Sequence, residues 1–158
     1  MSSPQKLWHE YIATLTQINL SPKAYTSWHF GDSKNLANEL LALVLAEKKQ
    51  ATASALWVHE HEGETIPKPG DFSVITNWAG EAKCILLTSV VEIIPFNEVT
   101  EAFASLEGEG DLSLKFWRKA HWDFFKNELA RYGRQPSLDM PIVCERFECV
   151  YPLGLNMP

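Results

Sequence analysis

No stretch of the chain stays apolar for the roughly 20 residues that a bilayer-crossing helix needs. The longest apolar run, residues 85–91, is broken by Thr88 and Ser89, so no membrane span is expected. Cysteine is scarce as well. Cys84, Cys144 and Cys149 are odd in number and form no C-x-x-C pair, which points away from a disulfide framework or a thiolate zinc site and toward buried reduced thiols. Positive charge is the third shortage: 14 Lys and Arg against 20 Asp and Glu leave a net charge of -6. That balance argues against tight, sequence-independent binding to a long nucleic acid, which depends on cations neutralising phosphates, but it is compatible with a small nucleotide pocket. The opening residues, Met1-Ser2-Ser3-Pro4-Gln5-Lys6, lack the basic start and apolar core of a signal peptide, and a cytosolic location is the expectation.

What is present is the balance of a globular chain, 158 residues with 46% apolar and 22% charged. One domain is the natural reading at this length, and a folded chain of this size buries roughly 70% of its unfolded surface, so no disulfide or metal is needed to hold it.

Periodicity then divides the chain. Ser3-Pro4 reads as an N-cap with Pro at the first helical position, and Leu7, Trp8, Tyr11, Ile12 and Leu15 share a face, predicting a helix over about residues 3–17. After a connection through Ser21-Pro22, Asp32 or Ser33 caps a second helix carrying Leu36, Leu40, Leu41, Val44 and Leu45. From Ala51 the apolar period shortens to two, predicting a strand through Val58, and residues 59–63 and 67–70 read as loop. Residues 72–77 and 83–94 form a predicted hairpin around Ala79-Gly80. Asn97 is read as the cap of a short helix, an acidic connection runs from Glu107 to Asp111, and Leu114, Trp117, His121, Phe124, Phe125, Leu129 and Tyr132 line the longest helix, with Gly133 as its stop. A final strand places Val143, Glu145, Phe147, Cys149 and Tyr151 on one side. Helices and strands without regular β-α-β alternation indicate an α+β fold with a mainly antiparallel sheet or barrel.

Four features carry candidate chemistry. Lys49 and Thr52 stand three residues apart where helix gives way to strand; a lysine in a partly dry cleft loses proton affinity and can act as a base toward a hydroxyl, while the plain alternative is a solvated lysine beside a strand threonine. Glu107, Glu109 and Asp111 offer a carboxylate for proton transfer or Mg²⁺, or else cap the following helix together with Ser113. Glu145 is the one acid on an apolar strand side; it is either buried and paired, facing a cleft, or exposed at a bulge. His59 and His61 share a face if the strand continues, yet two ligands fall short of a metal site and a polar loop is the simpler reading. His121 reads as a core histidine, and Lys115, Lys119, Trp122 and Lys126 form a basic stripe able to touch RNA or simply to meet solvent.

Several segments together resemble the ASCH domain, a relative of the PUA domain. They are Glu47-Lys48-Lys49-Gln50-Ala51-Thr52-Ala53-Ser54, Pro67-Lys68-Pro69-Gly70-Asp71, Val91-Glu92-Ile93-Ile94-Pro95-Phe96, Glu107-Gly108-Glu109-Gly110-Asp111, Phe116-Trp117-Arg118-Lys119-Ala120-His121-Trp122 and Val143-Cys144-Glu145-Arg146-Phe147. The resemblance covers about residues 30–151. It implies a small, mainly antiparallel β-barrel flanked by helices, with a cleft for nucleoside or RNA ligands; no cofactor and no metal ligand set is assigned from the sequence. Small ASCH amidohydrolases deacetylate N4-acetylcytidine with a Lys-x-x-Thr pair and a distant glutamate, matched here by Lys49, Thr52 and Glu109, or Glu107 after a two-residue shift. On this reading Lys49, its proton affinity lowered by burial, activates Thr52 or a water, and Glu109 serves the leaving amine. Trp28 or Trp57 stacks on the base, and Ser54, Ser113 and Glu145 complete the substrate contacts. The alternative partner is single-stranded RNA, bound with or without cleavage through Lys48, Lys49, Lys115, Lys119 and Trp122. A third reading keeps the cleft as a non-catalytic small-ligand sensor.

Overall fold

A computed structural model describes residues 2–15 and 24–152; the Ser21-Pro22 connection lies outside them. The elements run α1 (Pro4–Thr14), β1 (Thr26–Trp28), α2 (Lys34–Leu45), β2 (Ala51–Ala55), α3 (Leu56–Glu62), β3 (Phe72–Thr76), β4 (Ala82–Pro95), a 3-10 turn (Phe96–Glu98), α4 (Glu101–Glu107), α5 (Leu114–Ala130) and β5 (Pro141–Tyr151). The five strands hydrogen-bond in the order β1-β3-β4-β5-β2. The β1–β3 pair, Thr26 against Ser73 through Trp28 against Ile75, is parallel; β2–β5 and β3–β4 are antiparallel. The fold is thus α+β, as the sequence indicates.

Two compact units divide the chain: Met1–Lys48 with Gly70–Thr88 and Phe147–Pro158, and Lys49–Pro69 with Ser89–Arg146. In the first, α1 starts where the Ser3 hydroxyl accepts the Lys6 N–H and its face of Leu7, Trp8 and Tyr11 packs with Val74, Ala82 and Ile85. Helix α2, capped by Ser33 on Leu36 N–H, buries Leu40, Leu41 and Val44 with Phe30, Ile75, Cys84, Leu86 and Phe147. Each is an amphipathic helix closing on strand residues of the same unit.

In the second unit Ala51 and Ala55 of β2 join Phe96, Val99, Phe103, Trp117, Phe125, Leu129, Met140 and Ile142 in one core. Two expectations change here. The chain coils into α3 directly after Ala55 instead of remaining extended to Val58, so residues 59–62 are helix, and His59 and His61, two apart on a helix, do not face one way. The cap of the helix after the hairpin is Thr100, whose hydroxyl accepts Phe103 N–H, because Asn97 sits within the 3-10 turn that precedes it.

Candidate functional site

Lys49 is the first residue of the second unit, and only 2% of it is exposed. The Gln50 N–H donates to the Leu106 carbonyl at 2.7 Å, tying this segment to the end of α4. Helix α4 stops at Gly108, whose φ of 71° is left-handed, a conformation glycine adopts without penalty. The reversal lets two carboxylates two residues apart reach one ammonium: Lys49 Nζ donates to Glu107 Oε1 and to Glu109 Oε2, each at 2.9 Å. Gly110 continues the tight path, since a Cβ there would lie 2.5 Å from the Phe116 ring.

Glu107 is a buried hub, its side chain 1% exposed. Its second oxygen accepts the Trp117 indole N–H and lies 3.0 Å from His121 Nε2. The other ring nitrogen, Nδ1, is 2.9 Å from the Trp117 carbonyl. Both nitrogens of His121 therefore face acceptors, which favours the doubly protonated imidazolium. With Lys49, Glu109 and Glu107 the result is a buried quartet of two cations and two carboxylates.

The quartet corrects one premise. Burial works against the charged form of Lys49 and is the largest single influence, but Glu107 and Glu109 together outweigh it and hold its pKa above the ordinary lysine value rather than below. For Glu107 burial again opposes the charge, yet Lys49 and His121 prevail and lower its pKa. His121 is raised in the same way, with desolvation overcome by Glu107. Lys49 is an ammonium here, and the group with freedom to act is Glu109. Its side chain is 18% exposed, and its Oε1 takes no hydrogen bond from any described residue.

The other expected residues separate. Thr52 pairs across the ladder with Glu145, which is buried, so the buried alternative for that acid is the observed one. Ser54 Oγ meets His59 Nε2 at 2.9 Å. The Trp57 ring is covered by the Arg134 guanidinium, 3.6 Å from its centroid. Ser113 is the N-cap of α5, accepting Phe116 N–H at 3.0 Å. Trp28 belongs to the first unit, edge-on to Phe30. Glu107 does not belong to the acidic connection; it is the last residue of α4. Being buried, Lys49 also drops out of the cations assigned to an RNA backbone.

Sequence reasoning left out Trp117 and His121 as functional groups, although their spacing of four on α5 was a readable signal that both occupy one face. Glu107, Glu109 and His121 offer ligand atoms within 4.8 Å of one another, the spacing of a metal site. The Lys49 ammonium at 2.9 Å from both carboxylates supplies the positive charge there, so the donor set suits a protonated lysine better than a divalent ion. His59 and His61 form no such group, since His61 stacks on Tyr132 at 4.6 Å.

The model of the ASCH domain matches residues 26–151. Among solved structures, an ASCH domain from Lactobacillus crispatus JV V101 is 31% identical, with 92% of each chain covered and a TM-score of 0.87. A protein of Enterococcus faecalis V583 is 37% identical over 92% of this chain and 86% of its own, with a TM-score of 0.82. No curated protein matches the chain.

Proposed function

The chain belongs to the ASCH domain family, whose fold is PUA-like, and from that premise we propose that its Lys49–Glu109 pair hydrolyses the acyl amide of an N4-acylated cytidine. The observation that carries the reading is the division of labour within Glu109: one oxygen is held by a buried ammonium at 2.9 Å and the other is left without a partner among the described residues. A carboxylate held at one end and open at the other is suited to moving a proton. Water adds to the acyl carbonyl and gives its proton to Glu109 Oε1. The C–N bond then breaks, the proton passes to the departing N4, and cytidine and a carboxylic acid result. Lys49 acts through its fixed charge, orienting Glu109 instead of serving as the base. Thr52 and Glu145 lie opposite one another on the same side of the β2–β5 pair and provide polar contacts for the base and sugar.

Charge supports a nucleoside substrate, because a molecule without phosphate meets no repulsion from a net charge of -6. The test is incubation with N4-acetylcytidine followed by chromatography for cytidine, wild type beside Glu109→Gln. Release by the wild type with a loss of about 100-fold or more in the variant is expected; equal release by both sinks the assignment of Glu109, and release by neither sinks the substrate.

A second reading, single-stranded RNA on the outer side of α5, is favoured by one observation. A hollow of about 450 Å³ there joins Trp122, Phe96 and Leu114 to Lys115, Arg118 and Lys119, a combination suited to base stacking with flanking cations. It predicts RNA affinity that falls steeply with salt, and salt-independent binding counts against it.

A further inference from the structure

Away from the charged quartet, the second unit contains another titratable arrangement that the deacylation reading does not use. Ser54 is the fourth residue of β2, and α3 begins two residues later. The abrupt change from strand to helix folds His59 back over the strand, and its Nε2 lies 2.9 Å from Ser54 Oγ. Gly63 then ends α3 with φ 68°, and the Glu64 N–H closes on the His59 carbonyl at 3.0 Å. That return places Glu64 Oε2 at 3.9 Å from His59 Nδ1. A serine hydroxyl, an imidazole and a carboxylate thus follow one another within eleven residues of chain.

The tautomer can be argued from the neighbours. His59 Nδ1 is buried and has no hydrogen-bond partner. As a bare lone pair it would face the carboxylate with like polarity, whereas as N–H it points its positive end toward Glu64. The proton therefore belongs on Nδ1, Nε2 is left as acceptor, and the Ser54 hydroxyl donates to it. This is the protonation pattern of a nucleophile with its base and orienting acid. Glu64 is on the surface, its side chain 61% exposed, and exposed side chains change rotamer readily. Thr52, two residues earlier on the same face of β2, has no hydrogen-bonded base among the described residues.

We infer that Ser54, His59 and Glu64 form an acyl-accepting centre in which Ser54 is the nucleophile, His59 its general base and Glu64 the positioning acid, with small carboxylic esters as the substrate class. The Ser54 Oγ–acyl bond forms as the ester C–O bond breaks, and the hydroxyl proton passes to His59 Nε2 and on to the departing alcohol. Water then cleaves the acyl-serine, releasing the carboxylic acid and restoring the hydroxyl. The inference is independent of cytidine chemistry.

A fluorophosphonate, which labels activated serines, tests it directly: the adduct is located by peptide mass mapping in the wild-type protein and in Ser54→Ala, His59→Gln and Glu64→Gln. Labelling at Ser54 is expected, absent in Ser54→Ala and slowed by about 100-fold or more in His59→Gln. Glu64→Gln, a surface change that leaves packing untouched, is expected to slow labelling with no change in circular dichroism. An unlabelled Ser54 in the folded wild type overturns the inference, as does a Glu64→Gln protein labelled at the wild-type rate alongside an equally reactive His59→Gln. Cytidine release is read separately, so failure here and failure of the deacylation reading remain distinct.

Discussion

The two units of the chain are stabilised by different means. The first is closed by apolar and aromatic side chains: Trp8, Tyr11, Val74 and Ile85 in one cluster, Phe30, Leu41, Cys84 and Leu86 in another. The second has a core of comparable make-up and, in addition, a cluster of four charged groups, Glu107 with Lys49, Glu109 and His121. Replacing a buried ion pair with well-packed hydrophobic groups is often neutral or stabilising, so stability alone gives no reason for such a quartet. The contrast supports the proposal that places function in the second unit, where charge has been kept in place of simpler packing.

The largest effect expected from breaking this contrast comes from Glu107→Ala. It leaves Lys49 and His121 without their shared counter-charge, and loss of about 3–5 kcal/mol in urea unfolding is expected. Leu86→Ala in the first unit, at a site 2% exposed, is expected to cost about 2–5 kcal/mol through lost burial and a cavity, yet to leave cytidine release per folded molecule unchanged. An activity loss from Leu86→Ala that matches that of Glu109→Gln erases the distinction between the units.

Acidity sharpens it further. The folded-state pKa of His121 is raised, so its stabilising contribution is complete below the ordinary imidazole range and is lost as pH rises through the raised value; Lys49 behaves likewise at higher pH. Glu107 is lowered, so its contribution holds above the ordinary carboxylate range and is lost as pH falls through the lowered value. Urea midpoints are expected to drop at both extremes, with a flatter alkaline limb in His121→Gln. The smallest expected effect concerns the thiols. Burial, with the nearby charges of Glu107 and Glu92, pushes Cys144 up to about 12, whereas the hydrogen bond from Cys84 lowers the half-buried Cys149, so iodoacetamide is expected to modify Cys149 first.

Much of the fold was legible where one local signal sufficed. Ser3-Pro4 and Ser33 marked helix starts that occur as expected, and the hairpin closed between Thr76 and Ala82. Strand β1 was not legible, because three residues show no period and its pairing partner β3 lies far along the chain. Helix α3 was hidden because the alternation of Ala51 to Ala55 carries on into Trp57 without a turn residue to stop it. The candidate site was legible in part. Family resemblance picked out Lys49, Thr52 and Glu109, but whether Lys49 gains or loses proton affinity depends on two carboxylates 58 and 60 residues away, and no local pattern reports that. His121 looked like a core residue because its face of α5 is apolar; the acid that pairs it is on another helix.

The central claim is that Lys49 remains an ammonium inside a quartet completed by a protonated His121. Nitrogen-15 NMR of the lysine Nζ and the His121 ring, assigned with Lys49→Gln and His121→Gln proteins at about pH 7, measures those charge states directly. The account predicts a protonated Nζ and two protonated ring nitrogens. A neutral Lys49 amine at that pH contradicts it and returns the role of base to the lysine.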